Sequence, residues 1–396
     1  MGMTRGFTNG GIEALHRSLL RHVERGNLPG LVALVARGDQ AHVEAIGHKA
    51  FGDSQPIERD AIFRIASVTK PIAGVAAMLL LQEGVMALED PIARWLPELA
   101  GQRVLRALTS DLDDTVPTER SVTVEDILSF HLGFGSIMTA GDSPVQRAEA
   151  QLGLKTLGPP WPPVDFTLDD WVARFGRLPL LEQPGAAWRY NTGATLAGAL
   201  IERVAGTPLA EVLRERVFEP LGMVDTAFYV PADKLERFTT FYAVDDASGG
   251  LEVFDRPAGW WSRPPKMADA SAGLVSTADD LWAFASMLAS GGGDLLSLES
   301  VRLMTLDRMT ASERAQNNIF VGDHSGWGLM MSVPAGDGST GIPGGYGWDG
   351  GSGTAWRTDT SVGLTGILLT QRMATSPEAA ETVTDFWHAA YAAIED

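Results

Sequence analysis

The chain has 396 residues, 45% of them hydrophobic and 20% charged, which is enough length and apolar content to bury a core without cross-links. It has no cysteine, so disulfides, thiol catalysis and cysteine-ligated metals are excluded. The net charge is −19, with five lysines and no basic stripe. Such a field repels phosphate backbones and removes nucleic acid from the expected partners; the charge itself reads as solubility.

The opening "MGMTRGFTNGGIEALHRSLLRHVERG" places Leu15, Leu19 and Leu20 at helical spacing among Arg and His, an amphipathic surface helix with no apolar core of signal-peptide length. Residues 31–36 and 42–47 then read as a hairpin about a Gly38-Asp39 turn. The most apolar run, "AGVAAMLLLQEGVMAL", is broken by Gln82 and Glu83 and falls short of a membrane span. The expectation is a cytoplasmic protein that does not enter membranes. The histidines, among them His16, His22, His131, His324 and His388, are scattered without the spacing of a ligand set, so neither a metal nor another cofactor is expected.

From Asp90 to about Trp260, Pro-rich connections alternate with helical segments: "TVEDILSF" with Thr123 as cap, "TLDDWVARFG", "TLAGALIERVAG" and "PLAEVLRERVFEPLG". A further helix is read in "STADDLWAFASMLASGGG", capped by Ser276 or Thr277, with Asp279 and Asp280 in its first turn. Strands return in "GWGLMMSV", "GTAWRTDT" and "VGLTGILLTQR", and "SPEAAETVTDFWHAAYAAI" closes the chain as a helix. Strands at both ends around a helical middle predict one catalytic unit. Its α/β part is made from residues 1–88 and 262–396, with a mainly helical part from residues 89–261.

One short stretch carries chemistry. In "ASVTKPIAG", Ser67 and Lys70 stand three residues apart, on one face of a helix that must begin there, because Pro71 is tolerated only in a first turn. A serine hydroxyl needs a neighbouring base to become a nucleophile, and a lysine desolvated near a helix N-terminus can serve. Taken alone, the same pair is equally a polar helix cap.

The surrounding text decides between them. "FRIASVTKPIAGVAAMLLLQEGVMALEDPIARWLP" resembles the serine β-lactamase and penicillin-binding-protein superfamily, in particular its class C-like hydrolases and family VIII carboxylesterases. It has the S-x-x-K pair, then L-x-x-G at residues 81–84 and Asp90-Pro91. The likeness runs from about Leu31 to Arg372. It implies a β-lactamase-like α/β fold of the α+β type, an antiparallel sheet with flanking helices and an inserted helical part. In "PGAAWRYNTGATLAG", Tyr190 takes the place of the family's tyrosine, in a W-x-Y form, while Asn191 and Thr192 depart from the lactamase Y-x-N. The resemblance implies that Tyr190 shares the proton transfers with Lys70, and leaves open which of them is the base. In "GGYGWDGGSGTAW", Trp348-Asp349-Gly350-Gly351 replaces the lactamase K/H-T-G, much as W-G-G does in the esterases. Gly350 then matches the glycine where substrate meets the strand, and the amides of Ser67 and Gly351 form the oxyanion hole.

The lactamase cation that binds the drug carboxylate is missing, which favours a neutral ester as the small-molecule substrate. Amide or peptide hydrolysis, acyl transfer, weak β-lactamase activity and a non-catalytic binding module remain as alternatives, and oligomeric state is left open. The family's L-L-S-H-T-S-G appears as "ILSFHLG" with His131 out of phase, so His131 is read as structural. Trp161, Trp260, Trp261, Trp327, Tyr346 and Trp348 are candidates for an aromatic acyl pocket, Trp348 alone being placed by a motif. A Ser-His-Asp triad is set aside because no G-x-S-x-G elbow occurs.

Overall fold

The structure, a computed structural model, describes residues 6–38, 40–137, 143–154, 163–245, 247–335 and 345–395. Its centre is a seven-stranded antiparallel sheet. The strands are β1 (Gly30–Arg37), β2 (Gln40–Gly47), β3 (Ser325–Trp327), β4 (Ser332–Pro334), β5 (Tyr346–Gly350), β6 (Thr354–Asp359) and β7 (Leu364–Thr370), in the order β2-β1-β7-β6-β5-β4-β3. The first hairpin and the last strands thus meet where β1 pairs with β7, from Leu31 opposite Thr370 to Arg37 opposite Leu364. The hairpin forms as read, with Arg37 opposite Gln40, although Asp39 of its turn lies outside the described residues.

The sequence of β1 explains its place in the middle. "GLVALVAR" does not alternate apolar with polar, and a strand apolar on both sides must be covered on both. Leu31, Ala33 and Val35 join a cluster with Leu15 and Leu19 of α1 (Asn9–Glu24) and Phe386 of the last helix. Val32 and Leu34 face the larger core, which holds α2 (Thr69–Gln82), α3 (Thr192–Ala205) and α4 (Ala278–Ala289). The C-terminal helix α5 (Glu381–Ala392) packs so closely on β7 that a Cβ at Gly366 would sit 2.5 Å from the Trp387 ring. A larger residue there would push α5 off the sheet.

Capping chemistry fixes several helix starts. Thr123 caps residues 124–128 in a capping box with Asp126, and Thr277 rather than Ser276 caps α4, accepting the Asp280 N–H at 3.2 Å. Ser276 instead belongs to a short pairing of Phe63–Arg64 with Val275–Ser276. Two readings are corrected. "GWGLMMSV" is not one strand. β3 and β4 form a tight hairpin through residues 328–331, closed by the Gly328 N–H on the Met331 carbonyl, and Met330 adopts φ +67° there. The closing helix begins only at Glu381, and residues 376–380 run ahead of it as extended or bent chain. Among the described residues no helix is long and apolar enough to cross a membrane.

Candidate active site

Ser67 lies on a single 3₁₀ turn, Ala66–Val68, that runs directly into α2. The approach to it is fixed from two sides. The Ile65 N–H donates to the Leu274 carbonyl at 3.0 Å. The Ser352 hydroxyl donates to the Arg64 carbonyl at 2.6 Å, and the Thr354 hydroxyl to the Ile65 carbonyl at 3.1 Å. Ala66 is held at φ +43°, a conformation that costs an L-residue energy and persists only where its surroundings impose it.

α2 is unusual in being buried all round, every residue from Thr69 to Leu80 included. Lys70 therefore has no route to water and is fully buried. Its Nζ donates to Ser67 Oγ at 2.9 Å and to the Ser271 carbonyl at 2.6 Å. Burial disfavours the ammonium and brings the Lys70 pKa down to about 7, against the pull of the Asp269 carboxylate.

Tyr190 arrives from the loop before α3. Its hydroxyl donates to Ser67 Oγ at 3.0 Å and accepts the Trp348 indole N–H at 2.8 Å. The half-buried ring packs on other aromatics: Phe320 stacks on it at 4.8 Å, and Trp327 meets it edge-on at 6.1 Å. The Lys70 Nζ stands 4.7 Å from the ring centroid. This desolvation pushes the phenol up to about 12, although its hydrogen bonds with Ser67 and Trp348 oppose it, so Tyr190 keeps its proton at neutral pH. Asn191, at φ +84°, makes the turn from Tyr190 into α3. With ψ −54° it lies outside the left-handed helical region that asparagine favours, so the turn holds it under backbone strain.

Ser67 and Tyr190 open on a cavity of about 570 Å³, lined also by Trp348, Gly350 and Gly351, with Lys70 buried behind them. Sequence reading assigns Gly350 to substrate approach, but its steric demand comes from the protein itself: a Cβ there would stand 2.4 Å from the Ile65 carbonyl oxygen and from Thr354 Oγ1. That contact seats β5 against the turn that carries Ser67. A Cβ at Gly351 would meet nothing within 4 Å, and its carbonyl accepts the Ala374 N–H at 2.8 Å.

Of the proposed acyl-pocket aromatics among the described residues, only Trp348 lines the cavity. Trp327 is buried behind Trp348, edge-on at 4.7 Å, and Tyr346 packs on Trp356. Trp261 stands over the Arg64 guanidinium, Trp260 packs on Phe254, and Trp161 lies outside the described residues. His131 is structural as read, bonded to Ser129 Oγ at 3.0 Å and to Glu313 at 3.1 Å. That bond, with donors from Thr310, outweighs burial and holds the Glu313 carboxyl down at about 2. Asp349 stands at the cavity, paired with Arg357 at 3.2 Å.

Three features escaped sequence reading. The cavity wall at residues 318–322, which carries Phe320, has no motif, and of the wall at 373–380 only residues 376–380 are read at all, as the start of a helix. Ser271 and Asp269 precede the helix read in "STADDLWAFASMLASGGG", and nothing in the sequence marks either as facing Lys70.

The Beta-lactamase family profile matches residues 16–388, and the chain belongs to that family of serine hydrolases. It is 36% identical over 364 residues to Protein Rv1367c of Mycobacterium tuberculosis (strain ATCC 25618 / H37Rv), spanning 88% of this chain and 87% of that one. To Esterase EstB of Burkholderia gladioli it is 30% identical over 370 residues, spanning 87% and 86%. Among solved structures, EstCE1, described as a hydrolase with promiscuous acyltransferase activity, has a TM-score of 0.78 at 23% identity, over 96% of this chain and 98% of that one. Simvastatin synthase from Aspergillus terreus reaches a TM-score of 0.79 at 20% identity over 98% of each chain. These likenesses establish the β-lactamase-like fold.

Proposed function

We propose that this protein hydrolyses neutral carboxylic esters through an acyl-enzyme on Ser67. The observation that carries the reading is the convergence on Ser67 Oγ of Lys70 Nζ at 2.9 Å and the Tyr190 hydroxyl at 3.0 Å, beside an open cavity. The chemistry separates the two partners. Lys70, with its pKa brought to about 7, is neutral in a large share of molecules at neutral pH and can accept the serine proton. Tyr190, at about 12, cannot be the resting base and serves as a proton relay.

In acylation, Ser67 Oγ bonds to the carbonyl carbon as its proton passes to Lys70. The negative oxygen of the tetrahedral intermediate takes hydrogen bonds from the Ser67 and Gly351 amides, each such donor being worth about 3 kcal/mol in a water-excluded site. The C–O bond to the alcohol then breaks, and Tyr190 protonates the leaving oxygen, drawing on the proton held by Lys70. Water repeats the sequence on the acyl-enzyme and frees the acid.

A neutral ester fits better than a β-lactam. Trp348 supplies Tyr190 with a neutral indole donor where the lactamases have a cation. The charged groups lining the cavity are Asp349 and Arg357, which pair with each other, and Glu378, an excess of negative charge facing any substrate carboxylate. The name of the relative EstB points the same way.

Intact-protein mass spectrometry after a fluorophosphonate probe tests the nucleophile. One adduct is expected on the wild type and none on Ser67→Ala. An unlabelled, folded wild type would favour the binding-module alternative. Turnover of short p-nitrophenyl esters should exceed that of nitrocefin by orders of magnitude; the reverse would make the protein a β-lactamase.

A further inference from the structure

The segment that gives Lys70 its carbonyl acceptor also contains a buried acid, Asp269, only 1% exposed. Asp269 Oδ1 accepts the Ser271 N–H at 2.8 Å, and its own carbonyl accepts the N–H groups of Ala272 at 3.4 Å and Gly273 at 3.2 Å. The side chain thereby ties down the turn whose Ser271 carbonyl meets Lys70 Nζ at 2.6 Å. On its other side, Asp269 Oδ2 accepts the Thr195 hydroxyl of α3 at 3.3 Å. We propose that Asp269 is the positioning residue for Lys70: its turn aims the Ser271 carbonyl at the amine, and its carboxylate sets the pH at which that amine is free to take the Ser67 proton. This rests on the reading of Lys70 as base.

The surroundings of Lys70 single Asp269 out. From the 3₁₀ turn ahead of its own helix the amine meets Ser67, and from the loop before α3 it meets the neutral Tyr190 ring. β5 contributes Trp348, which touches Tyr190, and Asp349, whose charge acts on Tyr190 and is met by Arg357. Asp269 is the charged group that acts on Lys70 directly, favouring the ammonium against the desolvation that disfavours it. Burial in turn pushes the Asp269 carboxyl up, opposed by its bonds from Ser271 and Thr195. Removing the carboxylate leaves desolvation unopposed, so the amine gives up its proton at a lower pH.

The test is the pH profile of kcat/KM for p-nitrophenyl butyrate in the wild type, Asp269→Asn and Thr195→Val. Asparagine keeps the acceptor for the Ser271 N–H and deletes the charge. The acid limb should move to lower pH by about one unit or more, the usual size for a close opposite charge, with KM little changed. Thr195→Val removes a donor from the carboxylate without touching Lys70, and should move the limb the same way by less. A limb that stays in place or moves up in folded Asp269→Asn overturns the assignment, and if that variant fails to fold, the Thr195→Val profile decides. A wild type with Ser67-dependent turnover and no acid limb also overturns it. Turnover that survives Ser67→Ala defeats the ester-hydrolase reading itself, whereas an unmoved limb with Ser67-dependent turnover defeats only the role of Asp269.

Discussion

Arg64 and Lys70 stand on either side of the Ser67 turn, 3% and 0% exposed, and their surroundings treat the two buried cations in opposite ways. Arg64 is paired with Asp255, donates to the Thr239 carbonyl at 2.8 Å, and lies 4.0 Å over the Phe238 ring and 4.9 Å over Trp261. Burial pulls its pKa down to about 10, with Asp255 resisting, and at neutral pH the charge stays. Lys70 has a hydroxyl and a carbonyl to donate to, and at about 7 its charge is poised. A buried cation paired directly with a carboxylate, as Arg64 is with Asp255, is held charged as an anchor; one given a neutral hydroxyl and carbonyl, as Lys70 is, is placed to act as the proposed base.

Exchanging each cation for methionine breaks the comparison most directly. Lys70→Met keeps an unbranched chain in an apolar helix, and should lower kcat by about 10²–10⁴-fold or more while the protein stays folded, as loss of a general base does. Arg64→Met leaves Asp255 buried without its partner. It should cost about 3–5 kcal/mol of stability, read in denaturant unfolding, while activity per folded molecule falls far less. If Lys70→Met instead retained near-wild-type turnover, or Arg64→Met proved neutral to stability, the division between base and anchor would be wrong.

The next effect is in pH. Lys70 must be neutral to accept a proton, so kcat/KM should rise with pH through about 7 and level off above it, falling roughly tenfold per unit on the acid side. The Arg64 pKa of about 10 places no step in that window. A profile falling from pH 6 to 8 would mean that the ammonium is the working form.

How far this contrast could be read in advance depends on distance along the chain. Ser67 and Lys70 were legible because one helical turn brings them together, and Pro71 fixes where that turn starts. The sheet was legible too, since apolar runs near both termini had to share a core. Tyr190, Trp348 and Gly351 needed the family likeness to be connected at all. The wall that carries Phe320 and the Asp269 turn under Lys70 were not legible, because each reaches the site by a tertiary contact that leaves no periodicity or spacing in its own segment. The same limit misplaced the aromatics: Trp261 and Trp327 have the composition of a pocket, yet one packs on Arg64 and the other stands behind Trp348. The "GWGLMMSV" reading failed for a local reason, a turn built on Met330 at positive φ, which composition does not advertise.

The smallest expected effect concerns the donor that replaces a cation at this site. The Trp348 indole N–H holds the Tyr190 oxygen at 2.8 Å, while the ring packs edge-on against Trp327. Trp348→Phe keeps an aromatic against Trp327 and deletes the donor, so the Tyr190 hydroxyl loses one neutral hydrogen bond worth about 1 kcal/mol. If that bond matters chiefly while Tyr190 carries a proton to the leaving oxygen, kcat should fall about fivefold to tenfold with KM nearly unchanged. The loss should be greater for esters of poorly acidic alcohols, which need that proton, than for p-nitrophenyl esters, which leave without it. Equal losses on both, or a change confined to KM, would make Trp348 a wall of the cavity and leave the relay to Lys70 and Tyr190.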